Sequence, residues 1–314
     1  MTEKALKPIK PFLNYEEQIN NLIEQKGMIV NDHKFAVSKL EDISYFALID
    51  GYKNLFYNPM TRKYKEGTTF EDLVALYEFD EKLRTLIFRY LCHFEQKMRS
   101  LISYHFCDTY SEKQEDYLNA VHYNNSGANK KKIAALIAIL DREAKKSTDH
   151  AYVVYQRKTY GNVPMWVIMK TLTFGQYSFL TTSMKTKISR HFDYVSEKEL
   201  IQYMKVLTLY RNVCAHNERL FSYKSRFDIP DTILHRKMKL PRNGNKYKCG
   251  KNDLFSVVIA FRMLLAKEDF AEFKKSLNQI INQYMKKTGN LNQDLFFKAM
   301  GFPENWKNIS RYKL

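Results

Sequence analysis

Apolar positions recur at three- and four-residue intervals over most of the chain, and few breaks separate the runs. The clearest run opens at Thr68-x-x-Glu71, a capping-box pattern, and carries Leu73, Leu76, Leu83, Ile87, Leu91, Phe94, Met98 and Ile102 to about Phe106. A second box, Ser196-x-x-Glu199, predicts a helix to about Leu220 with Leu200, Tyr203, Met204, Leu207 and Cys214 buried. Residues 14–27 predict a first helix, capped by Asn14 and closed by Gly27, with Ile19, Leu22 and Ile23 as its inner stripe. Further helices are expected over 34–50, 132–145, 180–192 and 253–285, and one starting at Pro164 with Trp166 packed inside. A break is expected at Phe174-Gly175. Loops are expected over 57–69, over the polar stretch 111–131, and over the basic stretch 230–252. The pattern is that of an all-α protein, and the scarcity of glycine and proline, 10 and 7 residues in 314, agrees.

Composition narrows the class. No apolar stretch is long enough to span a bilayer, so no membrane contact is expected. The polar start, MTEKALKPIKPF, lacks a secretory h-region and points to the cytoplasm. Cys92, Cys107, Cys214 and Cys249 form no zinc-like spacing and read as small buried apolar residues, so neither metal nor cofactor is expected. The net charge is +17. Such a field attracts polyanions, and nucleic acid fits it better than an anionic membrane surface. A plain excess of solvated lysine is the competing explanation. The basic residues are not gathered in one tail, so the fold must assemble any binding face.

The loose pattern Arg-x4–6-His occurs twice, as Arg211/His216 and Arg99/His105. Spacing does not choose between them, but context does. On the helix after Ser196, Arg211 stands four residues beyond Leu207, in line with the apolar stripe, while Lys205, Thr208, Asn212 and His216 follow a polar line. A guanidinium in that place needs an anion. The anion is either a substrate phosphate or a core acid such as Glu95, with His216 then a surface histidine. Arginine can grip a phosphodiester in a bidentate manner, and histidine can move the proton of a 2′-hydroxyl near neutrality, so metal-independent RNA cleavage is within reach of this set. Asn212 can orient either partner. Arg211 and His216 lie about 140° apart around an ideal helix, so a working site needs a distorted helix end or a second copy of the motif. Arg99 and His105 lack the asparagine, and their neighbours Leu101, Ile102, Tyr104 and Phe106 look like core. Pairing of Arg99 with Glu95, one turn away, is the simpler expectation.

The stretch Arg211-Asn212-Val213-Cys214-Ala215-His216-Asn217-Glu218-Arg219-Leu220 resembles the signature of the Abi family, the AbiD/AbiF-like abortive-infection proteins of bacteria. Three segments match in order: 45–56 (YFALIDGYKNLF), 70–84 (FEDLVALYEFDEKLR) with Phe94-Glu95-x-x-x-Arg99, and 164–179, opening Pro164-x-Trp166. Together they span roughly residues 12–225. The resemblance implies a helical bundle similar to the HEPN superfamily, in which Arg-x4–6-His marks a metal-independent ribonuclease site. It implies catalytic roles for Arg211, Asn212 and His216, support from Glu95 and Arg99, and a site composite across a dimer or a pair of domains, with a homodimer expected. It also implies RNA as partner, with a cognate structured non-coding RNA as one form of it. Candidate RNA contacts are Lys205, Arg219, Arg242, Lys246 and Lys248. The expected organisation is an N-terminal helical segment over 1–60, a core with the motif over 61–225, and a basic insertion with C-terminal helices over 226–314. The expected function is phage defence by an endoribonuclease toxin; a non-catalytic RNA-holding protein is the alternative.

Overall fold

The structure is a computed structural model, and it describes residues 11–172, 182–288 and 292–314. The helices, in chain order, are α1 (Tyr15–Asn20), α2 (His33–Ile43), α3 (Phe70–Thr109), α4 (Gln114–Tyr117), α5 (Asn129–Lys146), α6 (Ala151–Tyr160), α7 (Met165–Ile168), α8 (Thr182–Ser189), α9 (Glu197–Ala215), α10 (Ile233–Lys237), α11 (Leu254–Leu264), α12 (Lys267–Lys287) and α13 (Gln293–Met300). Among the described residues the strands are two-residue antiparallel pairs, β1 (Tyr57–Asn58) with β2 (Lys63–Tyr64) and β3 (Arg242–Asn243) with β4 (Lys246–Tyr247). The fold is all-α. No helix among the described residues is long and apolar enough to cross a membrane.

The chain forms two compact units, Met1–Leu83 with Asn278–Phe296, and Arg84–Leu277 with Phe297–Leu314. In the first, Phe79, Tyr284 and Phe296 pack ring on ring at 4.8–5.2 Å, tying the start of α3 to the late helices. Buried Asp80 accepts a 2.6 Å hydrogen bond from the Tyr52 hydroxyl. In the second unit, α11 is buried at every position but Arg262, which marks it as an interior helix. It packs beside α9. Phe273 of α12 meets Tyr90 at 5.2 Å and Phe261 at 4.9 Å, both edge to face.

Several expectations change in detail. The first helix widens into a π turn at Asn21–Gln25, which leaves Ile19 and Leu22 buried but turns Ile23 outward, 38% exposed. The helix expected over 34–50 breaks at Ser44, whose φ of 75° is left-handed, and resumes as a π turn over Phe46–Asp50. The box opening α3 sits one residue late: Thr69 and Asp72 exchange the capping bonds at 2.9 and 3.1 Å. Thr68 is engaged earlier, its carbonyl accepting from Ile29 N.

The polar stretch 111–131 is not a plain exposed loop. It contains α4 and buries Tyr117 and Tyr123, whose hydroxyls donate to Val163 O and Tyr117 O at 2.7 Å. Helix α6 went unforeseen because it buries Val153 alone and shows almost no apolar face; Gly161, left-handed at φ 64°, ends it. Stretch 230–252 holds α10 and the β3–β4 hairpin, with Leu234, His235, Met238 and Leu240 buried. The late helix expected over 253–285 is interrupted at Leu265–Ala266 and becomes α11 and α12. The four cysteines are free thiols of intermediate exposure rather than fully buried. The break expected at Phe174-Gly175 lies outside the described residues.

Candidate functional site

Helix α9 carries the motif, and local chemistry sets both of its ends. At the start, Ser196 and Glu199 form the expected capping box, with Ser196 N donating to Glu199 at 2.8 Å. Along the body, Leu200, Tyr203, Met204, Leu207 and Tyr210 are buried. The Tyr210 hydroxyl donates to Asn252 O at 2.9 Å and approaches Tyr223 O at 3.2 Å, holding the late turns against the loops around them. Burial holds that phenol well above its ordinary pKa, so it acts as a neutral donor.

The helix stops at Ala215 instead of about Leu220. Asn217 takes a left-handed φ of 54°, Glu218 N donates to Val213 O at 3.0 Å and Asn217 N to Cys214 O at 3.3 Å. That is a Schellman closure with asparagine in the left-handed position. Buried Arg84 of α3 supports the turn, its Nη1 donating to Glu218 O at 3.4 Å. His216 therefore sits as the C-cap, and it and Asn212 are exposed. Neither side chain makes a hydrogen bond or ion pair among the described residues.

Arg211 points elsewhere. Its Nε lies 3.7 Å from Glu95 Oε2, buried and without a hydrogen bond. Glu95 is only 6% exposed at the side chain, and its other oxygen accepts from Arg99 Nη2 at 2.6 Å. The same Arg99 nitrogen donates to Leu172 O at 2.7 Å. One buried carboxylate thus faces two guanidiniums, with the cysteine Cys92 beside them; burial and then the Glu95 charge push that thiol's pKa up. The pairing of Arg99 with Glu95 was legible from the sequence. His105 goes its own way, its Nε2 2.9 Å from His191 Nε2, so the two members of the Arg99/His105 spacing serve different partners. Tyr104, expected in the core, is 66% exposed.

The Abi-like protein family model matches residues 38–222, well over half of the chain. The chain belongs to the Abi-like family. That membership suggests a part in abortive infection, the defence of bacteria against phage. No curated protein and no solved structure matches the chain. The span matched by the Abi-like family takes in Glu95, Arg99, Lys205, Arg211, Asn212, His216 and Arg219, and stops before Arg242, Lys246 and Lys248.

Around this centre the remaining candidates spread out. Lys205 is exposed on α9, its Nζ 5.9 Å from the Phe227 ring centroid. Arg219 is of intermediate exposure just past the helix. Arg242, Lys246 and Lys248 are exposed on the β3–β4 hairpin, where Arg242 also stacks over Tyr247 at 4.6 Å. No group of three or more His, Cys, Asp or Glu side chains suited to a metal occurs among the described residues.

One feature was missed at the sequence level. A groove of about 540 Å³ lies between α3 and α7, with Arg99 in its wall. Trp166, expected inside, is 52% exposed and lines the groove. The available signal was the spacing Gln96, Arg99, Ser100, Ser103, Tyr104 on α3, a polar line of helical period along an otherwise apolar helix.

Proposed function

We propose that this Abi-like protein acts on RNA, and that the end of α9 is a metal-independent endoribonuclease site of the HEPN type. The observation that carries the reading is Arg211: a half-buried guanidinium facing a carboxylate at 3.7 Å with its buried Nε unbonded, five residues before the exposed His216. Such a group is poised to exchange an internal anion for a phosphate. In the proposed reaction His216 takes the proton of a 2′-hydroxyl, and the freed oxygen attacks the adjacent phosphorus. The bond to the 5′-oxygen breaks, and that oxygen takes a proton, leaving a 2′,3′-cyclic phosphate and a 5′-hydroxyl. Arg211 holds the non-bridging oxygens, and Asn212, one turn from His216 on the same face, orients the reacting groups.

The leaving oxygen needs a second proton donor. A homodimer that brings two α9 ends together supplies it with the other copy's motif, and it also answers the divergence of Arg211 and His216 around the helix. The +17 charge fits an RNA partner, including a structured non-coding RNA held in the resting state.

The engagement of Arg211 by Glu95 favours one alternative, an RNA-holding protein in which the motif grips and does not cut. The two readings separate on cleavage of RNA in the presence of EDTA by the wild type, Arg211→Ala and His216→Ala. The nuclease reading expects cyclic-phosphate ends from the wild type and a loss of at least a hundredfold in each variant. Equal cleavage by all three removes it from this site, and binding without cleavage under any trigger favours the holding protein.

A further inference from the structure

The groove beside Arg99 has the chemistry of a nucleotide pocket. Its volume of about 540 Å³ falls within the range of small-ligand clefts. One wall is the line Gln96, Arg99, Ser103 and Tyr104 of α3; the facing wall is Trp166 and Lys170 from α7 and the turn after it. Each wall carries one exposed aromatic ring, Tyr104 at 66% and Trp166 at 52% exposure, in a protein whose other tryptophan, Trp306, is 2% exposed. An indole left in water beside a groove gains by stacking on a planar partner. Each wall also carries one cation, Arg99 and Lys170. The lip continues past Lys170, whose Nζ stands 5.4 Å from the centroid of the Tyr152 ring, itself stacked on His150 at 5.3 Å. The acid that lines the groove, Asp108, is engaged by Lys187 at 3.3 Å.

We infer that this groove receives an unpaired nucleotide of RNA, its base against Trp166 and Tyr104 and its phosphate toward Arg99 and Lys170. Aromatic rings alternating with cations are what a single strand needs and a duplex does not use, because paired bases already stack on each other. The location agrees with the function proposed above, on which this inference rests for its choice of RNA. Arg99 belongs both to the groove and to the Glu95 cluster that holds Arg211, so a strand seated in the groove runs toward the α9 motif.

The test uses the full chain and a short 2′-O-methylated single strand, which cannot be cut by 2′-hydroxyl attack, beside the same strand annealed to its complement. The single strand is expected to quench tryptophan emission through Trp166, and the duplex to quench far less. Trp166→Leu and Tyr104→Leu are each expected to weaken single-strand binding about tenfold, the stacking of one base, without altering the salt slope. Trp166→Phe is expected to restore most of the affinity. Lys170→Gln is expected to lower the slope of log K against log salt by about one unit. Both aromatic side chains are exposed, and the buried Trp306 reports folding in the Trp166 variants. Unchanged emission with the single strand, or wild-type affinity in both aromatic variants, overturns the pocket, even if Arg211→Ala abolishes cleavage and so sustains the nuclease. Quenching with weakened binding in the variants upholds the pocket, even if no cleavage is ever seen.

Discussion

Replacing Glu95 by glutamine asks whether Arg211 is held in reserve by an internal anion. The substitution keeps the shape of the side chain and one acceptor for Arg99, and it removes the charge that faces both guanidiniums. At 3.7 Å the attraction between Glu95 and Arg211 amounts to about 1 kcal/mol in water-like surroundings and about 4 kcal/mol at an effective dielectric of 20. The carboxylate is 6% exposed, but Arg211 is 30% and Arg99 25% exposed, so water replaces part of what is lost. The net cost to folding should be about 1–2 kcal/mol for Glu95→Gln, rising to about 2–3 kcal/mol for Glu95→Ala, which also deprives Arg99 of its 2.6 Å acceptor. Urea denaturation followed by circular dichroism measures it. RNA binding should move the other way. With no carboxylate to displace, Arg211 is free for phosphate, and affinity for an uncleavable strand at low salt should rise about fivefold, the equivalent of about 1 kcal/mol. A folded Glu95→Gln protein with unchanged or lower affinity would refute the idea that Glu95 and phosphate compete for Arg211. An unchanged urea midpoint would refute the energetic argument itself.

Two further predictions concern the second unit. Gly301 has a φ of 74°, and a methyl group there would lie 2.1 Å from Cγ of Asp253, the buried N-cap of α11. Gly301→Ala is therefore expected to cost about 3 kcal/mol or more, seen as a large drop in the urea midpoint, and an unchanged midpoint would contradict the close packing. The pH dependence of stability offers the other. Burial lowers the pKa of His235 to about 4, so its contribution is complete above 6.5 and is lost as pH falls from there to about 4, by about 3 kcal/mol at most. Burial raises the pKa of Asp253 to about 6, so its contribution is complete below 3.8 and is lost as pH rises through 6. The two oppose each other between about 4 and 6. Asp253→Asn should unmask a steeper loss of stability on acidification than the wild type shows; parallel profiles for the two proteins would rule out this account.

How much of this was legible in the sequence depended on the range of the interaction that decides each element. Capping is local, so the Asn14 cap and the Ser196/Glu199 box were read where they occur. The box at α3 sits one residue late because Thr69 bridges to Ile29, with Ile29 N donating to Thr68 O and Phe70 N to Ile29 O, a contact that no local pattern records. The end of α9 was in fact local: Asn217 can adopt the left-handed conformation and close a Schellman turn, and the apolar Leu220 beyond it made the helix look longer. Helix α6 and the buried Tyr117 and Tyr123 were missed for a related reason. Helix α6 buries Val153 alone, and the polar stretch 111–131 is held by tyrosine hydroxyls that donate to Val163 O and Tyr117 O, bonds that no apolar pattern records.

The site divides in the same way. Spacing placed Arg211, Asn212 and His216 on one helix, which ends at Ala215 with His216 as its C-cap, and helical periodicity already separated the arginine from the polar line; the structure adds what each direction meets. Arg211 meets Glu95 from another helix, a partner that a lone pattern can only nominate, whereas Asn212 and His216 meet solvent. The Arg99/His105 spacing instructs by failing. Its histidine serves His191, while its arginine completes the Glu95 cluster and lines the groove. Trp166 was read as packing because an indole at helical spacing usually is; it stays half in water because the face opposite it on α3 is the polar line from Gln96 to Tyr104 rather than an apolar ridge. A polar face set against an exposed tryptophan gives the fold no apolar surface to bury there. It leaves instead a gap lined by rings and cations, at the arginine that also meets the carboxylate holding Arg211.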